Sequence, residues 1–466
     1  MARRPRKRRR RHAAAVGAVA AAGSPDCFSH LNDDLLRIIV SRLPVRSAAS
    51  LAAASRHFRA QVPPLIDRVD SLTLHEPHFP VALHDAPPLR LRRLAVAPHA
   101  AIPPSSFRPI LQTAAGHGVS EISVRLPRRS RLPKNVFSVR SLAALTLDTC
   151  AVPRWSVVVC PCLRTLRLRH VAIHQETINS IIASASCLET LEMTYCTGHG
   201  SMGGGCTVES SSVRNLVFRP VLKQEEATIR ATGLRTVTLH TRSKARRLEL
   251  APAPEVRKAY LHIAKARNME SFRVRPFLDA GTKLNSLTLR CQAMKLLSSE
   301  YEDIPKLRVT FRDLRILSVS LNLSSDRELV FLLKLLERCP NLQQFALSAA
   351  EKDNENTPPA QTDNGNRDND NTLPPPCFTD HKERLANIPC LTCSLMRFKF
   401  IGFKPEEYQK KLMVFLLTRA KNLKKVGVEF EKSQAAAVKE ILSVRRALIQ
   451  RTSNKYTGYY TELEYS

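Results

Sequence analysis

The sequence predicts an α/β chain: three short helices at the N-terminus, then an irregular leucine-rich-repeat solenoid, then a closing α/β segment. Three observations carry this reading. Between Asp26 and Ala60, apolar residues fall at helical spacing in short runs interrupted by Pro44. From Val69 onward the pattern apolar-x-x-apolar-x-apolar recurs, mostly 21 to 30 residues from one start to the next, the period at which a strand and its return segment stack into a solenoid. After an Asn/Asp/Pro-rich break over 351–380 the pattern resumes and runs to Phe430. With 466 residues, 43% of them hydrophobic and 24% charged, the chain can bury a large core, and a mostly disordered protein is excluded.

Residues 1–25 read as a disordered basic arm. Lys and Arg exceed Asp and Glu by 31 over the whole chain, and eight of these cations crowd into the first twelve residues, between Arg3 and Arg11. Such a run repels itself and stays solvated; its composition suits a nuclear-import signal or a non-specific polyanion contact. The expected location is the nucleus, the cytoplasm or both. The Ala/Val run from Ala13 to Ala22 holds no Leu, Ile or Phe and leads into a patterned helical segment, so it is not read as a secretory or transit leader. No apolar stretch approaches the roughly 18 residues that span a bilayer, and no membrane is expected among the partners.

Residues 26–62 form the helical unit. Asn32 can cap a helix whose first turn carries Asp33 and Asp34, favourable at the positive end of the helix dipole. Leu35, Leu36, Ile38, Ile39 and Leu43 follow at helical spacing, Pro44 stops the run, and two more short stretches carry Ala48, Ala49 and Leu51, then Ser55, Arg56, His57 and Phe58. Three short helices bury little surface and need a neighbour. An amphipathic cap on the following domain fits this pattern, and so does a docking unit. The stretch from Leu31 to Phe58, with its Leu-x-Asp-Asp-Leu-Leu opening, Ser-x-Leu-Pro at Ser41 to Pro44 and Ser-Arg-x-aromatic ending, resembles the F-box of ubiquitin-ligase substrate receptors. Asn32 stands where the family usually has Pro, and Phe58 where it has Trp. The resemblance implies a three-helix fold that binds a Skp-type adaptor, and through it a cullin, with Leu31, Asp33, Leu36, Ile39, Leu43, Pro44, Leu51 and Phe58 as the adaptor-binding residues.

Residues 63–350 carry the repeats, from Val69/Leu72/Leu74 through Leu163/Leu166/Leu168 to Leu342/Phe345/Leu347. Cys150 and Cys196 fall three places after Leu147 and Met193, where a small side chain sits inside the turn, so both are expected to be packing residues. Gln175 to Ala185 and Arg327 to Cys339 read as helical returns, whereas short copies near Leu248/Leu250 and Leu261/Ile263 suggest returns that shrink in the middle. After the 351–380 insertion, residues 381–430 read as strand, helix, strand, with an acidic helix start at Glu406 and Glu407 and an apolar helix through Leu412, Phe415 and Leu416. The Phe-x-Gly-Phe-like turn after the first strand, the Glu-Glu pair, the Phe-Leu-Leu run at Phe415 to Leu417 and the Ala-x-x-Leu at Ala420 resemble the FBD module that follows leucine-rich repeats in a large plant F-box family. A helix and a tail are expected over 431–466.

Catalytic motifs fail on context. Gly198 to Gly203 spells G-x-G-x-x-G, but Gly204 and Gly205 stand where a helix should begin to present its amides to a pyrophosphate. His170 and His174 lack the H-E-x-x-H glutamate, and Cys390/Cys393 and Cys160/Cys162 lack a second ligand pair nearby. Twelve cysteines are too dilute for a disulfide scaffold. No catalytic, metal-binding or cofactor-binding residue is assigned, and a non-enzymatic role is expected.

The repeat itself offers a sharper expectation. Apolar residues take positions one, four and six, so positions three, five and seven should line the concave face of the sheet. Basic residues there include Arg93, Arg125, Arg167, Arg169, Arg219, Arg247, Arg290, Arg397, Lys399 and Lys425; acidic ones are fewer, at Glu121, Asp148, Glu192, Glu249 and Glu429. Arg125, Arg167, Arg169, Arg219, Arg290 and Lys399 are the candidates for binding an acidic protein substrate. Together with the resemblance, the expected role is substrate recognition within a Skp-cullin-F-box ligase. The competing reading is a basic leucine-rich-repeat scaffold or nucleic-acid-binding protein with no ligase association, although 6% aromatic content offers few base-stacking platforms.

Overall fold

A strand sends alternate side chains to opposite faces, so segments such as Leu145-Thr146-Leu147 and Leu166-Arg167-Leu168 present one apolar and one polar edge. Stacking them in register gives the architecture. The computed structural model describes residues 30–42, 71–74 and 91–98 and, with short breaks, 104–349, 388–443 and 449–464. Its first half contains α1 (Asp33–Arg42), β1 (Ser71–Leu74), β2 (Arg93–Val96), α2 (Pro104–Gly116), β3 (Glu121–Arg125), β4 (Ala144–Asp148), β5 (Thr165–Arg169), α3 (Gln175–Ser184), β6 (Thr190–Thr194), β7 (Cys206–Glu209), β8 (Asn215–Arg219) and β9 (Glu226–Arg230). The chain continues with β10 (Thr236–His240), β11 (Arg247–Leu250), β12 (Lys258–Ile263), β13 (Ser271–Arg273), α4 (Arg275–Ala280), β14 (Ser286–Cys291), α5 (Ala293–Glu300), β15 (Ile316–Leu321), α6 (Asp326–Glu337) and β16 (Gln344–Ala349). It ends with α7 (Pro389–Cys393), β17 (Arg397–Phe403), α8 (Glu407–Arg419), β18 (Lys425–Phe430), α9 (Ala435–Ser443), β19 (Ile449–Lys455) and β20 (Gly458–Glu464).

A single 16-stranded sheet runs the length of the repeats in the order β1-β2-β3-β4-β5-β6-β8-β10-β12-β14-β15-β16-β17-β18-β20-β19. It is parallel from β1 to β18. Two apolar ladders face inward across it. One joins Leu145, Leu166, Leu191, Leu216 and Val237 by direct register, and the other joins Leu147, Leu168, Met193, Phe218 and Leu239. All of these are buried in one continuous core. A slip of one residue would turn every ladder outward, so burial fixes the register. The strands β16 and β17 pair directly, Gln344 with Arg397, so the 351–380 insertion leaves and rejoins the sheet between adjacent strands; its residues lie outside the described set, as does the basic arm.

The middle repeats depart from the expected shrinking returns. Over β7 to β13 the return segments are themselves strands, and β13-β11-β9-β7 form a second, four-stranded parallel sheet. Leu248 and Leu250 belong to this sheet, and the long-sheet copy nearby is Val256/Ala259/Leu261, in register with Val237 and Leu239. The physical reason lies in CTVE, EATIR and RLEL: each alternates apolar and polar residues over four or five positions, too short for a helix and suited to a strand buried on one side. The flanking returns are helical as expected, at α3 and α6, and Ser325 caps α6 by accepting from the Glu328 amide.

Two further differences are local. Phe400-Ile401-Gly402-Phe403 is no turn: it stays within β17 as a bulge, with a register shift between Phe400 and Phe403 and Gly402 at φ +70°, a conformation glycine adopts without a Cβ penalty. Beyond α9, where a tail was expected, β19 and β20 form an antiparallel hairpin whose second strand pairs with β18. Thr and Tyr recur in these strands and favour extended backbone, but the apolar repeat that marks the parallel strands of the long sheet is missing.

At the N-terminus α1 starts as expected, the Leu35 amide donating to Asn32 Oδ1 at 2.9 Å. Leu43, Pro44, Leu51 and Phe58, and with them the second and third helices, lie outside the described residues. Leu31 and Ile39 are partly exposed and Asp33 is exposed. Leu36 is fully buried, and among the described side chains of the helix the exposed large apolar ones are Leu35 at 49% and Ile38 at 51%.

Candidate functional site: the outward face of the long sheet

Positions three, five and seven do face away from the apolar ladders along the long sheet, mostly half-buried or exposed between buried neighbours, with Thr194 on β6 and Ser320 on β15 buried. Arg247 and Glu249 are exceptions, since β11 belongs to the second sheet. The register aligns outward residues into rows that cross the strands, and the rows differ in charge.

At the N-terminal end the row is matched pair by pair. Arg93 meets Glu121 at 2.8 Å, Arg125 meets Asp148 at 2.9 Å, and Arg167 and Arg169 both reach Glu192, at 3.4 and 2.9 Å. Near the C-terminal end Lys399 approaches Glu429 at 3.8 Å. Four of the six candidate cations are therefore already held by acids of the same face, which lowers what they can offer a partner.

Arg219 and Arg290 differ: neither forms an ion pair among the described residues. Between them the row continues through His240 and His262, directly paired in register, and His262 is in turn opposite Arg290. Continuing the β8–β10 register by one residue places Arg219 beside His240. The two imidazole rings stack at 5.0 Å, and Tyr260, one outward position away, lies 5.3 Å from His240. Cys291 closes the far side, its Sγ 3.5 Å from His262 Nε2. No acid occupies an outward position of β8, β10, β12, β14, β15 or β16.

Sequence reasoning missed His240, Tyr260 and His262. His240 was legible as position seven of Leu234/Val237/Leu239, but a search for fixed charges passes over histidine. Tyr260 and His262 were hidden because Ala259 fills position four, so the repeat did not stand out and a false copy at Leu261/Ile263 took its place.

The strand ends are turned by residues at positive φ, Thr149, His170, Tyr195 and Cys291, each following a position-seven residue. The chain then dives inward at Cys150 and Cys196, both buried, with Cys196 Sγ directed at the Leu168 carbonyl. Burial pushes both thiols up to about 12, the behaviour of packing residues and not of nucleophiles. Cys390 is buried against the Leu336 carbonyl while Cys393 is exposed, and no cluster of three metal-ligating side chains exists among the described residues. Among those residues, no helix is long and apolar enough to cross a membrane.

Comparison with known families agrees with this geometry. Residues 88–371 match the leucine-rich-repeat domain described as At1g61320/AtMIF1, and residues 386–428 match the FBD domain. No curated protein matches the chain. The first match covers more than half of the sequence and the second follows it in order, over β17, α8 and the start of β18. The chain thus belongs to the At1g61320/AtMIF1-type leucine-rich-repeat family, with an FBD domain at its end, consistent with the plant F-box/leucine-rich-repeat/FBD type that its sequence resembles.

Proposed function

We propose that the chain is the substrate-recognition subunit of a Skp-cullin-F-box ubiquitin ligase. It binds a Skp-type adaptor, and through it a cullin, with the N-terminal helical unit; it holds a target protein on the outward face of the long sheet, catalyses nothing itself, and acts in the nucleus, the cytoplasm or both. The observation that carries the reading is α1: a capped helix, ahead of a leucine-rich-repeat and FBD chain, that leaves Leu35 and Ile38 half exposed. The test is co-purification of the full chain with a Skp-type adaptor, comparing wild type with Leu35→Ser/Ile38→Ser and with Leu43→Ala/Pro44→Ala. Loss of the adaptor from both variants, with unchanged melting of the repeat domain, supports the role. Equal adaptor recovery from all three proteins sinks it.

A further inference from the structure

We infer that the row Arg219-His240-His262-Arg290 is the docking site for an extended acidic segment of the recruited protein, laid across the strands with two carboxylates about four residues apart. This identity rests on the proposed recruitment of a protein target; the row itself rests on the geometry. Its two arginines stand on β8 and β14, with β10 and β12 between them. Strands lie about 4.8 Å apart, so the two cations are about 14 Å from each other along the row. An extended peptide advances about 3.4 Å per residue, so side chains four positions apart match that span.

Three features set the ligand class. First, Arg219 and Arg290 form no ion pair among the described residues, whereas Arg125, Arg167 and Arg169 are each held by an acid. A partner acid at Arg219 or Arg290 therefore displaces no internal pair. Second, the His240 and His262 rings stack 5.0 Å apart with Tyr260 beside His240, an aromatic stretch between the cations against which a peptide's small side chains can pack. Third, the positive row is short. It is bounded by the neutral Thr194 on β6 and Ser320 on β15, and Arg169 beyond Thr194 is neutralised by Glu192. A nucleic-acid strand carries a phosphate at every step and needs a longer track of cations, so a short acidic peptide matches this row better.

The test uses the full chain co-expressed with a Skp-type adaptor and a displayed library of random dodecapeptides. Selection on wild type, counter-selected on Arg219→Ala/Arg290→Ala, should enrich Asp or Glu pairs spaced four apart. An enriched peptide, labelled with fluorescein, should bind at least tenfold more weakly to that variant and several-fold more weakly to His240→Gln/His262→Gln. Arg125→Ala should bind it as wild type does. These side chains are at least partly exposed, and equal melting temperatures verify folding. Enrichment without acidic spacing, or equal losses in Arg125→Ala, overturns the inference. So does tighter, Arg219- and Arg290-dependent binding of a twelve-nucleotide oligo-dT. Adaptor recovery is read in the same preparations: its absence with row binding intact refutes the ligase role alone, and its presence without row binding refutes the row alone.

Discussion

The two sheets share one alternation and one core but treat charge in opposite ways. On the second sheet every acid on the outer face meets an arginine directly across the strands: Glu209 with Arg230, Glu226 with Arg247, Glu249 with Arg273. On the long sheet the pairing holds at β2 to β6 and returns with Lys399 and Glu429 at β17 and β18, but the strands between, β8 to β16, carry arginine and histidine without an outward acid. A chain-wide excess of 31 cations is thus not spread evenly. On the outward strand faces, cross-strand acids hold the arginines of β2 to β6 and of the second sheet, and among the described residues none holds those of β8 and β14. Position within the register decides which arginines are available, and a count of charges cannot.

The largest effects should come from breaking the core that both sheets build. Leu216 is fully buried on β8 and Ile229 is 2% exposed on β9. Leu216→Ala should cost about 3 to 4 kcal/mol in urea unfolding, from lost transfer energy and the cavity left behind. If the second sheet is an equal wall of that core, Ile229→Ala should cost at least about 2 kcal/mol on the same measure. A loss well under about 1 kcal/mol would make it a loosely attached layer, since only a site that collapses easily escapes the cavity cost. Where the two sheets alternate, successive turns pack tightly: a Cβ on Gly233, in the turn before β10, would collide with the Ser211 carbonyl oxygen in the turn before β8. Gly233→Ala should therefore cost about 1 to 3 kcal/mol by forcing one turn off the other.

The comparison also shows what could be read from the chain alone. The long sheet was legible because its ladders repeat a fixed spacing of large apolar residues, and all thirteen copies that start at Val69, Leu91, Val119, Leu142, Leu163, Leu188, Val213, Leu234, Leu284, Leu314, Leu342, Leu395 and Leu423 lead into long-sheet strands. The second sheet was not, because CTVE, EATIR and RLEL are too short to distinguish a strand from a tight loop until their neighbours are seen. Ala259 hid one long-sheet copy for a related reason: a small buried residue fills position four where the other copies carry a large apolar one. At the candidate site, Arg219 and Arg290 were legible as outward cations, but the acids that occupy Arg125, Arg167 and Arg169 come from adjacent repeats, and only the register brings them within reach.

Edges and flanks of the second sheet supply intermediate effects. Its free edge at β7 is covered by one side chain: Gln175 Nε2 donates to the Thr207 carbonyl and Gln175 Oε1 accepts from the Thr207 amide at 3.2 Å, as a further strand would do. Gln175→Ala leaves both groups without this partner and should cost about 1 to 2 kcal/mol, with faster hydrogen exchange at the Thr207 amide as the local signature. Beside the opposite edge, Glu300 accepts from the Val274 and Arg275 amides at the start of α4. Burial nevertheless raises its carboxyl from 4.5 to about 7, the two amide bonds offsetting part of the rise. A carboxyl whose folded value is raised holds its proton more tightly when folded, so its stabilising contribution is complete below pH 4.5 and fades as pH climbs through 7. Melting temperatures across that window should fall more steeply in wild type than in Glu300→Gln, and parallel curves would remove Glu300 as the source.

The smallest stability changes, and the sharpest contrast, come from the acids themselves. Glu209, Glu226 and Glu249 sit in exposed cross-strand pairs, for which solvent screening and side-chain entropy leave about 0 to 1 kcal/mol each. Changing any one to Gln should leave the melting temperature almost where it was. Glu192→Gln on the long sheet should be similarly mild for stability, because Arg167 and Arg169 keep nearly half of their side-chain surface in water. Its effect on binding should be different in kind. It releases both arginines on β5, two strands from Arg219, and so extends the uncancelled row past Thr194. The variant should elute from immobilised heparin at higher salt than wild type and than any of the three second-sheet variants, each of which frees only one arginine on the other sheet. If all four variants shift alike, net charge alone governs polyanion binding, and the distinction between the sheets has no functional weight.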